Sequence, residues 1–96
     1  MIYEVIDRET ISSLTDSVGF TAAKLVSRKV YAIIQAVDGN VRFTIDGTTP
    51  STSLGLRLTQ DSSVEVWGSD TMTNFRCIDD GGTAKLEVVY MGKGGS

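Results

Sequence analysis

The segment that most restricts what this chain can fold into is Val41 to Leu58, VRFTIDGTTPSTSLGLRL. Val41, Phe43 and Ile45 alternate with Arg42, Thr44 and Asp46, the period of two that turns one side of a strand toward a core. Leu54, Leu56 and Leu58 repeat that alternation, with Gly55 and Arg57 on the opposite side. Between the two runs lie an Asp46-Gly47 step, a row of Thr and Ser, and the single proline, Pro50. The Asp46 carboxylate can accept from backbone N–H groups two or three residues on. Gly47 can take a positive φ, and Pro50 fixes its own φ while removing a donor. The hydroxyls can satisfy further loop groups locally. Two antiparallel strands joined by a long, internally bonded loop are predicted, since the linker is too long for a two-residue turn.

The same logic extends along the chain. Met1 to Asp7 can begin a strand, with Ile2, Glu4 and Ile6 on one side and Tyr3, Val5 and Asp7 on the other. Residues 8–16 are polar and read as winding around the outside. Residues 10–14 fit either a short strand or one helical turn, and residues 17–25 read as irregular or briefly extended. Val30 to Val37 is almost wholly apolar and rich in β-formers. Such a run is a strand covered on both faces, or one that faces a neighbouring subunit as well as its own core. Asp38-Gly39-Asn40 supplies turn chemistry, so residues 31–37 and 41–45 are expected to form a hairpin, with residues 54–59 as the third strand. Val64 and Val66 alternate with Ser63, Glu65 and Trp67, and Gly68-Ser69-Asp70 ends that strand. Met72, Phe75 and Cys77 suggest another strand, Asp79-Asp80-Gly81-Gly82 a turn, and Leu86, Val88 and Tyr90 the last strand. The expected fold is all-β: a small antiparallel sandwich or barrel of about six to eight short strands with an extended N-terminal segment. Residues 1–16 would be a strand or arm, 17–91 the β-sandwich domain, and 92–96 a flexible tail.

Composition narrows function mainly by exclusion. The chain has 96 residues, enough for one modest core, and a net charge of −3. That charge argues against nucleic acid and against an anionic membrane as partners, because either would need a basic face. Neither a leader peptide nor a membrane-spanning run is expected. One cysteine, Cys77, cannot form an internal disulfide, which points to synthesis in a reducing cytoplasm.

There is no histidine, which removes the usual base near neutral pH and the commonest transition-metal ligand. Cys77 alternates with Phe75 and reads as a buried, inert thiol. Asp79-Asp80 and Asp38-Gly39-Asn40 lack the continuing oxygen ligands of a calcium loop, and Gly81-Gly82 lacks the helix and lysine of a phosphate cradle. No catalytic residue, cofactor or metal site is expected. Tyr31 and Trp67 are candidate exposed aromatics, for a sugar platform or an interface anchor; the alternative is that they edge the core. Arg42, Thr44, Arg57 and Thr59 should share the outward face of the central sheet. That face is either solvated or a dock for an acidic partner, since arginine forks match carboxylates.

Several separated segments resemble a group of small virion proteins of tailed bacteriophages. In that group an A-L-I strand leads to a V-R-(F/Y)-x-x-D-G-T-x-P-T turn and a G-x-x-L strand. An L-x-N-F-R-x-I strand and a closing L-x-V-x-Y strand follow. Here the matching residues are Lys29 to Ile34, Val41 to Ser51 with Gly55 and Leu58, Met72 to Ile78, and Leu86 to Tyr90. The likeness covers roughly the last two-thirds of the chain. Ser51 replaces the usual threonine and Met72 the usual leucine, and residues 18–23 match loosely. A second likeness, of Phe43 to Pro50 to the Y-T-x-D-G-S-x-P hairpin of Ig-like modules found beside glycoside hydrolases, covers one loop and is read as convergent turn chemistry.

The first resemblance implies a non-enzymatic capsid decoration, or cement, protein. It would be made in the host cytoplasm and sit on the capsid surface as a homotrimer, with the major capsid protein of the head as partner. Expected contact residues are Met1, Ile2, Tyr3 and Arg8 on an N-terminal arm, then Arg42 and Arg57. The competing expectation is a carbohydrate- or receptor-binding β-module on the tail or capsid exterior, using Tyr31 and Trp67.

Overall fold

A computed structural model describes residues 3–12, 14, 17–21, 24–25, 29–51, 53–80 and 83–93. Met1 and Ile2, expected contact residues, lie outside the described residues, as do Gly81 and Gly82 of the expected turn. The described residues form strands β1 (Tyr3–Ile11), β2 (Lys29–Val37), β3 (Val41–Thr44), β4 (Leu56–Leu58) and β5 (Ser63–Trp67). A short helix α1 (Ser69–Asn74) follows, then β6 (Arg76–Asp79) and β7 (Lys85–Lys93). Two antiparallel sheets result, one ordered β1-β7-β2-β5 and the other β4-β3-β6. The all-β expectation is met as a two-sheet arrangement of seven strands.

The core lies between the sheets because β2, β3 and β7 bury alternate residues. Ala32, Ile34 and Ala36 of β2 and Leu86, Val88 and Tyr90 of β7 point inward, meeting Val41, Phe43, Leu58 and Cys77 of the smaller sheet in one cluster. Four aromatics anchor this cluster. Phe20 stacks on Phe75 with ring centroids 4.2 Å apart, Tyr90 meets Phe20 edge-on at 5.4 Å, and Phe43 lies 5.8 Å from Phe75. Phe20 comes from irregular chain beside β6, where Val18 and Cys77 exchange backbone hydrogen bonds. Gly19 makes that approach possible: a Cβ there would stand 2.7 Å from the Phe75 carbonyl oxygen.

The pairing of β3 with β4 follows the sequence, with Val41 opposite Leu58 and Phe43 opposite Leu56. The Asp46 carboxylate accepts from the Thr48 N–H at 3.0 Å, the Asx turn that the Asp-Gly step suggested. Gly55 has φ +123°, and a Cβ there would meet the Phe43 carbonyl oxygen at 2.9 Å, so only glycine lets the returning strand close on β3.

Five expectations are corrected. First, β2 and β3 are not a hairpin; residues 38–40 carry the chain from one sheet to the other. Both strands have one strongly apolar face, and stacking the sheets covers both faces at once, whereas side-by-side pairing would leave them still to be covered. Turn residues alone do not distinguish an arch between sheets from a tight hairpin. Second, the N-terminal segment is no projecting arm over its described part: β1 pairs with β7 from Tyr3↔Lys93 to Ile11↔Leu86. An irregularity between Val5 and Asp7 breaks the alternation along β1. Third, Met72 lies on α1 and is buried there, with only residues 76–79 forming the strand. Fourth, Gly92 and Lys93 belong to β7, and of the expected tail residues 94–96 lie outside the described residues.

Fifth, β2 is not covered on both faces. Its inward residues are buried, and Tyr31, Ile33, Gln35 and Val37 are half-buried on the outside.

Candidate interaction surface: the outer face of the larger sheet

Register places three aromatic side chains from three distant segments on the outside of the four-stranded sheet. Tyr31 of β2 pairs with Trp67 of β5 on one side and with Met91 of β7 on the other, and Tyr3 of β1 faces Lys93 of β7. Tyr31 and Trp67 stack nearly parallel, 4.0 Å apart at 10°. Tyr3 stands 5.8 Å from each and roughly perpendicular to both, so it borders the rim of the stack instead of lying on either ring's free face. The indole Nε1–H of Trp67 donates to Glu65 Oε1 at 2.9 Å, fixing the ring's orientation along β5. Val5, the next outward residue of β1, is 59% exposed and Trp67 is 46% exposed. Half-buried Ile33, Val89 and Met91 floor the space between them.

This surface is an apolar, preorganised patch on a sheet face that nothing in the described chain covers. Cross-strand aromatic contacts of this kind contribute roughly 0.2–1 kcal/mol each, little beside what burying the same rings would yield.

The expected site residues divide between two sides of the molecule. Tyr3, Tyr31 and Trp67 come together on the larger sheet. Arg8 shares that face further along β1, with Nη2 3.8 Å from Glu87 Oε2. Arg42 and Arg57 sit on the smaller sheet, directly opposite each other across β3 and β4. Between them lies Asp80: Arg42 Nε is 3.4 Å and Arg57 Nε 3.2 Å from the same oxygen, Oδ2. Arg42 Nη1 also donates to the Gly55 carbonyl at 3.1 Å.

Sequence reasoning missed three features. Val5 belongs to the aromatic patch, and its alternation with Tyr3 was the available signal. Ile45, Leu54 and Leu56 form a second exposed apolar group, where Ile45 and Leu56 help line an open depression at the end of the smaller sheet. Their period-two pattern marks them as inward-facing, and only the extent of the opposite sheet decides whether anything covers them. Asp80 read as turn chemistry but is the counter-ion of both arginines.

The titratable groups away from these faces are committed to structure. Cys77 is buried, and burial pushes its thiol up to about 12, so it stays protonated at neutral pH. Burial likewise raises the Tyr90 phenol, which donates its hydrogen bond to Glu9. Asp7 is held below the usual carboxylate range by the Arg8 N–H and by Lys24, whose Nζ is 3.1 Å away. Among the described residues no group of three or more His, Cys, Asp or Glu side chains is placed to hold a metal ion, and no helix is long and apolar enough to cross a membrane.

No family model, no curated protein and no solved structure matches this chain.

Proposed function

We propose that this protein acts by surface contact and not by catalysis, as a virion structural protein of the capsid decoration type. It binds the outer surface of the major capsid protein lattice and stabilises the head. The residue pattern shared with tailed-phage virion proteins supports the virion assignment. The observation that carries contact as the mode of action is the Tyr3–Tyr31–Trp67 cluster, an exposed aromatic group packed against itself on an uncovered sheet face. Tyr and Trp dominate binding energy at interfaces, and rings already held by their neighbours lose little freedom on docking. In this reading Tyr3, Val5, Tyr31 and Trp67 meet the shell, Arg8 lies on the rim, and the Ile45–Leu54–Leu56 group serves contacts between copies in a homotrimer.

Stabilisation then follows from linkage. A protein that binds the assembled lattice better than separated subunits shifts the equilibrium toward the shell, by an amount that grows with its concentration relative to Kd. Co-sedimentation with purified shells tests this: wild type pellets at saturating stoichiometry, and Trp67→Ala with Val5→Asp stays in the supernatant while remaining folded. Wild-type stoichiometry for the double variant would remove the outer face from the reading. Light scattering on the isolated chain tests the trimer separately.

One observation favours a second reading, a glycan- or receptor-binding module. Trp67 lies on edge strand β5 with one ring face covered by Tyr31, and the Glu65 carboxylate beside it could accept from sugar hydroxyls. Glycan-array binding that Trp67→Ala abolishes, with shell attachment retained, would establish that reading in place of the first.

A further inference from the structure

The opposite side of the sandwich carries a different surface. On the smaller sheet, Arg42 and Arg57 face each other across β3 and β4, and Arg76 pairs with Thr44, so all three arginines fall on the same outward face. The inward face holds Val41, Phe43, Leu58 and Cys77. Three of the chain's nine basic residues thus share one small sheet face of a protein whose net charge is −3.

One carboxylate answers the first two. Asp80 offers the single oxygen Oδ2 to both Nε atoms, and Arg42 Nε is buried without an aligned hydrogen bond despite that ion-pair contact. The Gly55 carbonyl takes one further N–H of Arg42. Each guanidinium has donors to spare beyond these contacts. The Arg57 side chain is 52% exposed, and Arg76 is exposed with no ion-pair partner among the described residues. Like charges placed directly opposite on a sheet are unfavourable, and Asp80 relieves only part of that.

We infer that this face is a docking surface for a carboxylate-rich segment of a partner protein, which inserts acidic side chains between Arg57 and Arg76 and completes the neutralisation that Asp80 begins. The excess of positive charge and of forked N–H donors is the complement of carboxylates. No aromatic side chain lies among the outward residues of β3, β4 and β6, so the face lacks the stacking platform that single-stranded nucleic acid uses alongside a basic groove. This inference concerns the smaller sheet and stands apart from what occupies the aromatic face. Together the two faces would let one small domain hold different partners on its two sides.

Poly-L-glutamate is the probe, titrated into the full chain by calorimetry at low and at high salt, with oligothymidylate as the competing polyanion. Wild type should bind poly-L-glutamate at low salt and weaken as salt screens the contact, while Arg57→Gln with Arg76→Gln should lose about tenfold or more in affinity. Lys85→Gln, on the other sheet, should bind as wild type does. Arg57→Lys keeps the charge and loses the fork, and it should fall between wild type and Arg57→Gln. Absence of poly-L-glutamate binding by wild type at low salt overturns the inference, as does an equal loss in Lys85→Gln. Equal losses for Arg57→Lys and Arg57→Gln, together with an equally lowered melting temperature in both, would trace the effect to the fold and would also overturn it. Tighter binding of oligothymidylate, abolished by the same arginine changes, would replace the acidic protein partner with nucleic acid.

Discussion

All seven aromatic residues of this chain belong to one of two clusters, and the contrast between them separates what holds the molecule together from what it offers outward. Phe20, Phe43, Phe75 and Tyr90 interlock between the sheets, and each is buried. Tyr3, Tyr31 and Trp67 make contacts of the same geometry on the outside of one sheet, where Tyr3 and Trp67 remain well exposed. Ring geometry is alike in both; the difference is desolvation. The inner rings leave water on folding and so drive it. The outer rings keep part of their contact with water, and the hydrophobic free energy of that exposed part is not used by the fold.

The sharpest way to break this comparison is to delete one ring from each cluster. Phe75→Ala should cost about 3–5 kcal/mol, from lost burial plus the cavity left behind. Trp67→Ala should cost no more than about 1 kcal/mol, the scale of a surface cross-strand pair. Urea denaturation of both variants measures the gap, and comparable losses would mean that the outer cluster is structural.

A smaller effect is expected at the glycine that admits Phe20 to the inner stack. Gly19→Ala puts a methyl group 2.7 Å from the Phe75 carbonyl oxygen, so the segment must withdraw and loosen the stack. A loss on the order of 1–3 kcal/mol, the usual cost of overpacking, should appear in the denaturation midpoint.

The inner cluster should also make the protein sensitive to alkali. The Cys77 thiol and the Tyr90 phenol are both raised by burial, so each stays protonated in the folded state where the unfolded chain would already ionise. Their stabilising effect is complete below the unfolded values, and it is lost as pH rises above the ordinary thiol range toward about 12. Thermal melts from pH 8 upward should fall steadily, and Cys77→Ala should flatten the first part of that fall.

The smallest effect lies at acid pH, on the exposed edges. Asp7 and Asp46 are depressed by backbone N–H donors, from Arg8 and Thr48 respectively, and Asp7 also by Lys24. A depressed carboxylate stabilises the fold above its unfolded pKa and stops doing so as pH falls through the lower folded value. Asp46→Asn should therefore reduce the acid sensitivity of the melting temperature slightly below pH 4, without touching the alkaline limb.

Much of the fold is legible in the chain, and particular residues show where legibility ends. The alternation of Val41 and Phe43 and of Leu86, Val88 and Tyr90 correctly assigns inward faces, because side-chain direction in a strand is a local property. The Asp46 turn is legible for the same reason: its bond to Thr48 spans two residues. Partner choice is not local. Asp38-Gly39-Asn40 suits a hairpin as well as an arch, and only the demand to cover the apolar faces of β2 and β3 at once selects the arch. The candidate surface follows the same division. Tyr31 and Trp67 stand out as possible exposed aromatics, yet nothing in their neighbourhoods says that Tyr3 completes the cluster, or that Arg42 and Arg57 lie on the other side of the molecule with Asp80 between them.

By itself the sequence determined that this would be a small β protein, roughly where its strands lie, and which side of most of them turns inward. These follow from short-range periodicity and turn chemistry. The tertiary structure alone decided that β1 pairs with β7, that β2 and β3 lie in different sheets, that Tyr3 joins Tyr31 and Trp67, and that Asp80 sits between Arg42 and Arg57. Such matters depend on contacts between residues 28 and 64 positions apart, as Tyr3 is from Tyr31 and Trp67, and they are settled by packing two sheets against each other and not by any local preference.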